Sequence, residues 1–134
     1  MLKYNRGDVM NILICDDNTA FAMQLQKDIN EYFHNPNMIT NMITDHFDQI
    51  EGTYDVIFMD IELNDKNGIE IAKYHKNKHN CLVIFTSSHE NLVFNTFQVE
   101  PFQFIRKNHY DYDKNIVFKQ LKEKKMKKIL LIAT

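Results

Sequence analysis

Three short apolar runs recur along the chain: ILIC at 12–15, VIFM at 56–59 and LVIF at 82–85. Each is continuous rather than alternating, the pattern of strands covered on both faces, as in a parallel sheet. MITDHF at 42–47 and FQFI at 102–105 are weaker strand candidates. Between the runs the apolar positions switch to helical spacing. Phe21 or Ala22, Leu25, Ile29 and Phe33 predict a first helix capped by Asn18. Ile69 to Tyr74 predicts a second, opened by Asn67 and Gly68. Leu92, Val93 and Phe97 predict a third that stops before Pro101, and Ile116, Val117 and Leu121 a fourth. Between Phe47 and Tyr54 there is room for little more than one turn, so the helix expected there is shortened or missing. Strands alternating with helices specify a doubly wound parallel α/β fold.

A chain of 134 residues, 44% apolar, with three glycines and two prolines, suits one domain with a core of its own. The net charge of -2 gives no global pull toward nucleic acid or acidic membrane. Cys15 and Cys81 sit beside apolar runs, where they read as small core residues rather than a disulfide framework. The opening MLKYNRGDVM lacks the apolar centre of a signal peptide. The run ILLIA near the end is far shorter than the ~20 residues a membrane-spanning helix needs. The expectation is a soluble, cytoplasmic domain with no membrane partner.

The chemistry begins where the runs end. VIFM runs straight into Asp60, although an unpaired carboxylate is costly in a dry interior. Functional groups of this fold gather at the carboxyl ends of the central strands. Strand one there ends on Asp16 and Asp17, strand four ends on Thr86, and Lys107 follows strand five. Three carboxylates in one cleft repel each other, and a hard divalent cation with oxygen ligands, Mg2+, relieves that. Alone, Asp16 and Asp17 would serve equally well as negative charge at a helix N-terminus. The strand-end Asp, the Thr and the later Lys favour the metal.

As an ordered set, CDDN, FMDIELNDKNG, FTSSHE and PFQFIRK resemble the receiver domain of a bacterial two-component response regulator. The details MDIEL, FTSSHE and PFQFIRK are most similar to receivers of regulators with LytTR-type DNA-binding output domains. The resemblance implies a flavodoxin-like five-stranded sheet in the order 2-1-3-4-5. It covers residues 11–123, with 1–10 an N-terminal extension. It implies that Asp60 accepts a phosphoryl group from a sensor histidine kinase. Asp16, Asp17, Asp60 and the backbone carbonyl of Glu62 would hold Mg2+. Lys107 would grip the phosphoryl group, Thr86 would be the switch hydroxyl and Phe104 the switch aromatic. Glu62 and Ser88 flank the acceptor, where such side chains tune hydrolysis. The protein would be a signalling switch rather than an enzyme, limited to self-phosphorylation from phosphodonors and autodephosphorylation. It would relay to an output domain controlling transcription, with a homodimer on phosphorylation as one outcome. Two positions depart from the family pattern: Asn108 follows Lys107, and Asn64 stands four places after the acceptor, both where proline is usual. Neither change removes a chemical group.

Other readings fit less well. A flavin carrier of this topology needs a phosphate loop after strand one, where Asp16 and Asp17 would repel phosphate. An aspartate-nucleophile phosphatase needs D-x-D-x-[TV], and DIELN has Glu and Asn in the wrong places. A receiver that acts without phosphorylation would not need the complete set of groups present here. His75 and His79 have a metal-ligand spacing but no evident third ligand, and read as a solvated helix end. The lysines from Lys119 to Lys128 read as the outer face of the last helix, with no nucleic-acid contact of their own. Residues 124–134 read as a linker, with ILLI at 129–132 opening the first strand of an output domain outside this stretch.

Overall fold

The computed structural model describes residues 9–64 and 66–133, with side chains as far as Lys124. Five parallel strands form the sheet: β1 (Met10–Cys15), β2 (Met38–Ile43), β3 (Val56–Asp60), β4 (Leu82–Ser87) and β5 (Gln103–Arg106). Their order is β2-β1-β3-β4-β5, the arrangement that the resemblance implied. Met10, assigned from sequence to the extension, already pairs with Met38 at the start of β1.

The continuous apolar runs became the central strands because both faces of the sheet are covered. Alternate residues of a strand point to opposite faces. Leu13, Ile57, Met59, Val83 and Phe85 face a core closed by Ile69 and Ala72 of α2 (Gly68–His79). Ile12, Ile14, Val56, Phe58 and Ile84 face the other side. There Leu25 and Ile29 of α1 (Thr19–Phe33) meet Val117, Phe118 and Leu121 of α3 (Tyr110–Ala133). All five residues of β3 are buried, and Asp60 is the last of them.

Three expectations need correction. The second strand, Met38–Ile43, begins four residues before the 42–47 run and shares only Met42 and Ile43 with it. His46 takes a left-handed conformation (φ 51°), and Phe47–Gln49 forms one 3-10 turn, so the chain bends away where extension was expected. That turn is all that remains of a helix between β2 and β3, and Phe47 fills the space beneath it as a core residue. The helix read from Leu92, Val93 and Phe97 is a ten-residue 3-10 segment, Glu90–Val99. Its three-residue repeat stacks half-buried Val93 with buried Thr96 and Val99, and the Thr96 hydroxyl donates to the Val93 carbonyl (2.6 Å). The Lys76 ammonium donates to the carbonyls of Val99 (2.6 Å) and Glu100 (2.5 Å), closing the end of the segment. Finally, residues 129–132 are not extended but continue α3. Each residue added to an existing helix gains a bond, whereas a lone strand has no partner.

The local signals at the helix starts hold. Asn18 accepts from the Phe21 amide (3.1 Å) and Asn67 from the Ile69 amide (2.9 Å). At the entry to α3, Asp113 accepts from the Arg106 amide and, through both carboxylate oxygens, from its guanidinium, each at 2.9 Å.

Candidate functional site

Strand order brings the carboxyl ends of β1 and β3 side by side, and β4 next to them, so residues far apart in sequence meet at one edge. Asp16 and Asp17 follow β1, Asp60 ends β3, and Thr86 lies directly opposite Asp60 in the β3–β4 ladder. Carboxylate oxygens of Asp16, Asp17 and Asp60 all lie within 4.8 Å of one another. Lys107, just after β5, reaches back over them: its Nζ is 2.8 Å from Asp16 Oδ2 and 3.1 Å from Asp60 Oδ2. A cleft of about 260 Å3 opens here, lined by Asp17, Asp60, Glu62, Ser88, His89 and Lys107 among others.

Each acid is held by a different device. Asp16 is 1% exposed, and its Oδ1 accepts from the Asn18 amide (2.8 Å). The cap of α1 is therefore Asn18, and Asp16 and Asp17 are not spent on capping. Asp60 Oδ1 accepts from the Glu62 amide (3.1 Å). Burial pushes the Asp60 carboxyl up to about 6, and the neighbouring Asp16 charge adds to this, while Lys107 and the Glu62 amide offset part of it. For Lys107 burial works against the charge, but the adjoining carboxylates of Asp16 and Asp60 outweigh it and hold its pKa above the ordinary lysine value.

One lysine charge cannot neutralise three carboxylates. Asp16 Oδ2 is wholly buried, and despite its closeness to the Lys107 ammonium it receives no well-aligned hydrogen bond. An all-oxygen donor set with an unsatisfied buried oxygen is the chemistry that a hard cation such as Mg2+ takes. The residues present fit that ion.

Three supporting residues were not visible as such in the sequence. Asn64, where the resembled pattern has proline, sits in the left-handed region (φ 50°), and its amide donates to Asp17 Oδ2 (3.0 Å). Proline could do neither, since its ring fixes φ near −65° and it has no N–H. Gly68 approaches Asp60 so closely that a Cβ on it would lie 1.9 Å from the Asp60 carbonyl oxygen. Phe21 of α1 presents its ring face to Lys107 Nζ at 4.5 Å and meets Tyr110 edge-on at 5.3 Å. The Tyr110 hydroxyl then donates to Asp28 (2.6 Å), which also accepts from Lys114 (3.2 Å).

The remaining candidates fall as follows. Thr86 is buried, and its carbonyl accepts from the Ile61 amide (3.1 Å). Phe104 is half-buried against the core next to it. The second departure, Lys107–Asn108, is an ordinary trans peptide, as are all those among the described residues. His75 is buried and its ring stacks on His79 (centroids 6.1 Å apart); burial, then the charges of His79 and Lys78, lower its pKa. Among the described residues, groups of three or more metal-ligating side chains occur only at Asp16, Asp17 and Asp60, so the two histidines lack a third ligand. Lys119, Lys122 and Lys124 are exposed, while the later lysines' side chains lie outside the described residues. No described helix is long and apolar enough to cross a membrane.

Residues 12–130 match the family model of the response regulator receiver domain. The transcriptional regulatory protein LytR of Staphylococcus aureus (strain N315) is 32% identical over 101 residues, which cover 73% of this chain and 41% of that protein. The chain thus spans about two fifths of the length of this curated relative. Among solved structures, the signal receiver domain of a DNA-binding response regulator from Colwellia psychrerythraea 34H superposes with a TM-score of 0.67 at 22% identity, covering 85% of this chain and 98% of that one. The response regulator domain of Thermotoga maritima CheB does so with a TM-score of 0.58 at 29% identity, covering 92% and 95%.

Proposed function

The chain belongs to the response regulator receiver domain family, and from that premise we propose that it is a switch phosphorylated on Asp60. Receiver domains of response regulators are signalling switches rather than classical enzymes, and they take their signal from histidine kinases. The observation that carries the assignment of Asp60 is its position: a strand-end carboxylate, 5% exposed, 3.1 Å from the Lys107 ammonium and beside two further acids.

Phosphoryl transfer asks for positioning and charge stabilisation rather than covalent assistance. An Asp60 carboxylate oxygen attacks phosphorus in line, the P–N bond to the kinase histidine breaks, and the imidazole leaves with that electron pair. Lys107, already aimed at Asp60, stabilises an equatorial phosphoryl oxygen. Asp16, Asp17, Asp60 and the Glu62 carbonyl would hold Mg2+, whose charge would offset that of the phosphoryl oxygens and the acids. The Thr86 hydroxyl turns toward the new phosphoryl group, and the space it leaves lets Phe104 rotate inward. This changes the surface around β4, the 3-10 segment and β5, a local charge event read by a two-state packing element.

The relatedness to LytR, of which this chain spans about two fifths, supports an output domain that binds DNA. We read that domain as LytTR-type, with residues 124–134 as the linker toward it, the receiver itself making no direct nucleic-acid contact. A cytoplasmic location and phosphorylation-dependent pairing of two copies complete the reading.

The test is intact-mass measurement after acetyl phosphate and Mg2+. The wild-type chain gains one phosphate and Asp60→Asn gains none; equal labelling of both would overturn the assignment.

A further inference from the structure

The mouth of the acidic cleft is spanned by a histidine–carboxylate contact that the phosphotransfer scheme leaves unused. His89 Nδ1 lies 3.2 Å from Glu62 Oε1, linking the loop after β3 to the loop after β4. Both side chains line the cleft that contains Asp60 and Lys107. The His89 backbone is fixed: the Ser87 hydroxyl accepts from its amide (2.9 Å) and donates to its carbonyl (3.2 Å). His89 also stands immediately before the 3-10 segment but does not cap it with its side chain. Its ring is therefore free to turn about a held backbone, with Glu62 as its present partner.

We propose that His89 exchanges partners when Asp60 is phosphorylated, its ring turning from the Glu62 carboxylate so that a ring N–H donates to a phosphoryl oxygen and the imidazole covers the acyl phosphate. The proposal rests on the reading of Asp60 as acceptor. Two charge effects drive the exchange in the same direction. The phosphoryl group brings close to two negative charges into the cleft at neutral pH. It does so beside Glu62, whose own amide is 3.1 Å from Asp60 Oδ1, and the carboxylate is repelled. The group also offers three strong acceptor oxygens to the ring N–H, which donates whether or not the other ring nitrogen carries a proton. A ring seated over the phosphorus restricts the in-line path of water. His89 is thus a positioning residue for the lifetime of the phosphorylated state.

The test uses the 134-residue chain, its His89→Ala and His89→Gln variants, and two readouts. In the first, the acyl phosphate formed from acetyl phosphate is followed by mass as it decays. His89→Ala shortens its lifetime roughly three- to tenfold, the scale of one partly exposed hydrogen bond to a charged oxygen. His89→Gln, which keeps an N–H donor, recovers part of the loss. In the second, beryllofluoride and Mg2+ are added to 15N-labelled wild-type protein, and the His89 ring nitrogen resonances shift together with the cleft amides. If cleft amides shift while the His89 ring does not, or if His89→Ala decays at the wild-type rate, the exchange is overturned. If the wild-type chain takes no phosphate and shows no shift with beryllofluoride, the acceptor reading itself has failed, and the exchange with it.

Discussion

Replacing Gly68 with alanine tests whether β3 and α2 are built around their contact. The added Cβ would lie 1.9 Å from the Asp60 carbonyl oxygen and 2.9 Å from its carbonyl carbon, whereas real Cβ contacts essentially never fall under 3.0 Å. The clash is with backbone, so no side chain can turn away. The start of α2 and the end of β3 must separate by at least about 1.1 Å, and the hydrogen bond from the Gly68 amide to the Ile61 carbonyl (2.9 Å) is strained with them. Overpacking of this kind costs about 3 kcal/mol, and the better helix propensity of alanine returns about 1. The net loss of about 2 kcal/mol corresponds to a fall in Tm of roughly 6–10 °C for a domain of this size. The displaced atoms belong to Asp60, and a 1 Å misplacement at a reacting centre costs on the order of 100-fold. Phosphate uptake from acetyl phosphate should therefore slow by roughly 10- to 100-fold. Gly52→Ala is the control: Gly52 has φ 104° but only ordinary contacts with the Tyr54 side chain at 3.4–3.6 Å. Its strain costs about 1–2 kcal/mol of stability, with uptake unchanged. Wild-type Tm and uptake in Gly68→Ala, or equal slowing in both variants, would show that β3 and α2 are not built around this contact.

Further predictions concern the acids and their supports. The Asp60 carboxyl, raised to about 6 in the fold from 3.8, binds its proton more tightly when folded, so its ionisation removes stability as pH rises between about 4 and 6. In metal-free protein Asp60→Asn should then be more stable than wild type at pH 7.5, by about 1–2 kcal/mol after allowance for solvent screening, and nearly equal at pH 4. Urea unfolding at both pH values checks this, and a loss of stability at pH 7.5 would contradict it. Asn64→Pro, which removes the donor to Asp17 and forbids the left-handed backbone, should weaken Mg2+ binding, whereas Asn64→Gly should leave it nearly unchanged; titration calorimetry separates the two. By the same assay Asp17→Ala should weaken Mg2+ strongly, and Glu62→Ala only slightly, because its contribution is a backbone carbonyl. Asp113→Ala should cost about 1–3 kcal/mol in urea unfolding, since it strands the Arg106 amide at the end of β5.

Legibility followed burial. β1, β3 and β4 could be read because strands covered on both faces leave continuous apolar runs, and their ends then named Asp16, Asp17, Asp60 and Thr86. The second strand could not be placed, because an edge strand with alternating cover such as Met38–Ile43 leaves Ile39 46% exposed and carries Thr40 and Asn41 within it. The 3-10 form of Glu90–Val99 was hidden because Val93, Thr96 and Val99 fit a helical period nearly as well as a three-residue one. The bonds that close its end come from elsewhere in the chain, from the ammonium of Lys76. Asn64 and Gly68 were legible as residue types but not as supports: one acts through a backbone amide on a residue 47 positions away, the other through the absence of an atom. Phe21 read as a core position of α1, and only the fold lays it under Lys107. The ILLI run shows the limit of composition, since apolar residues with β character continued a helix that was already formed.

The proposed switch depends on Asp60 carrying the phosphoryl group. Borohydride reduction of the phosphorylated chain converts an acyl-phosphate aspartate to homoserine, and peptide mass spectrometry then locates the altered residue. Homoserine is expected at position 60 alone, dependent on Mg2+ and absent without phosphodonor. Homoserine at Asp16, Asp17 or elsewhere, or an unaltered Asp60 in a chain that has gained phosphate, would contradict it.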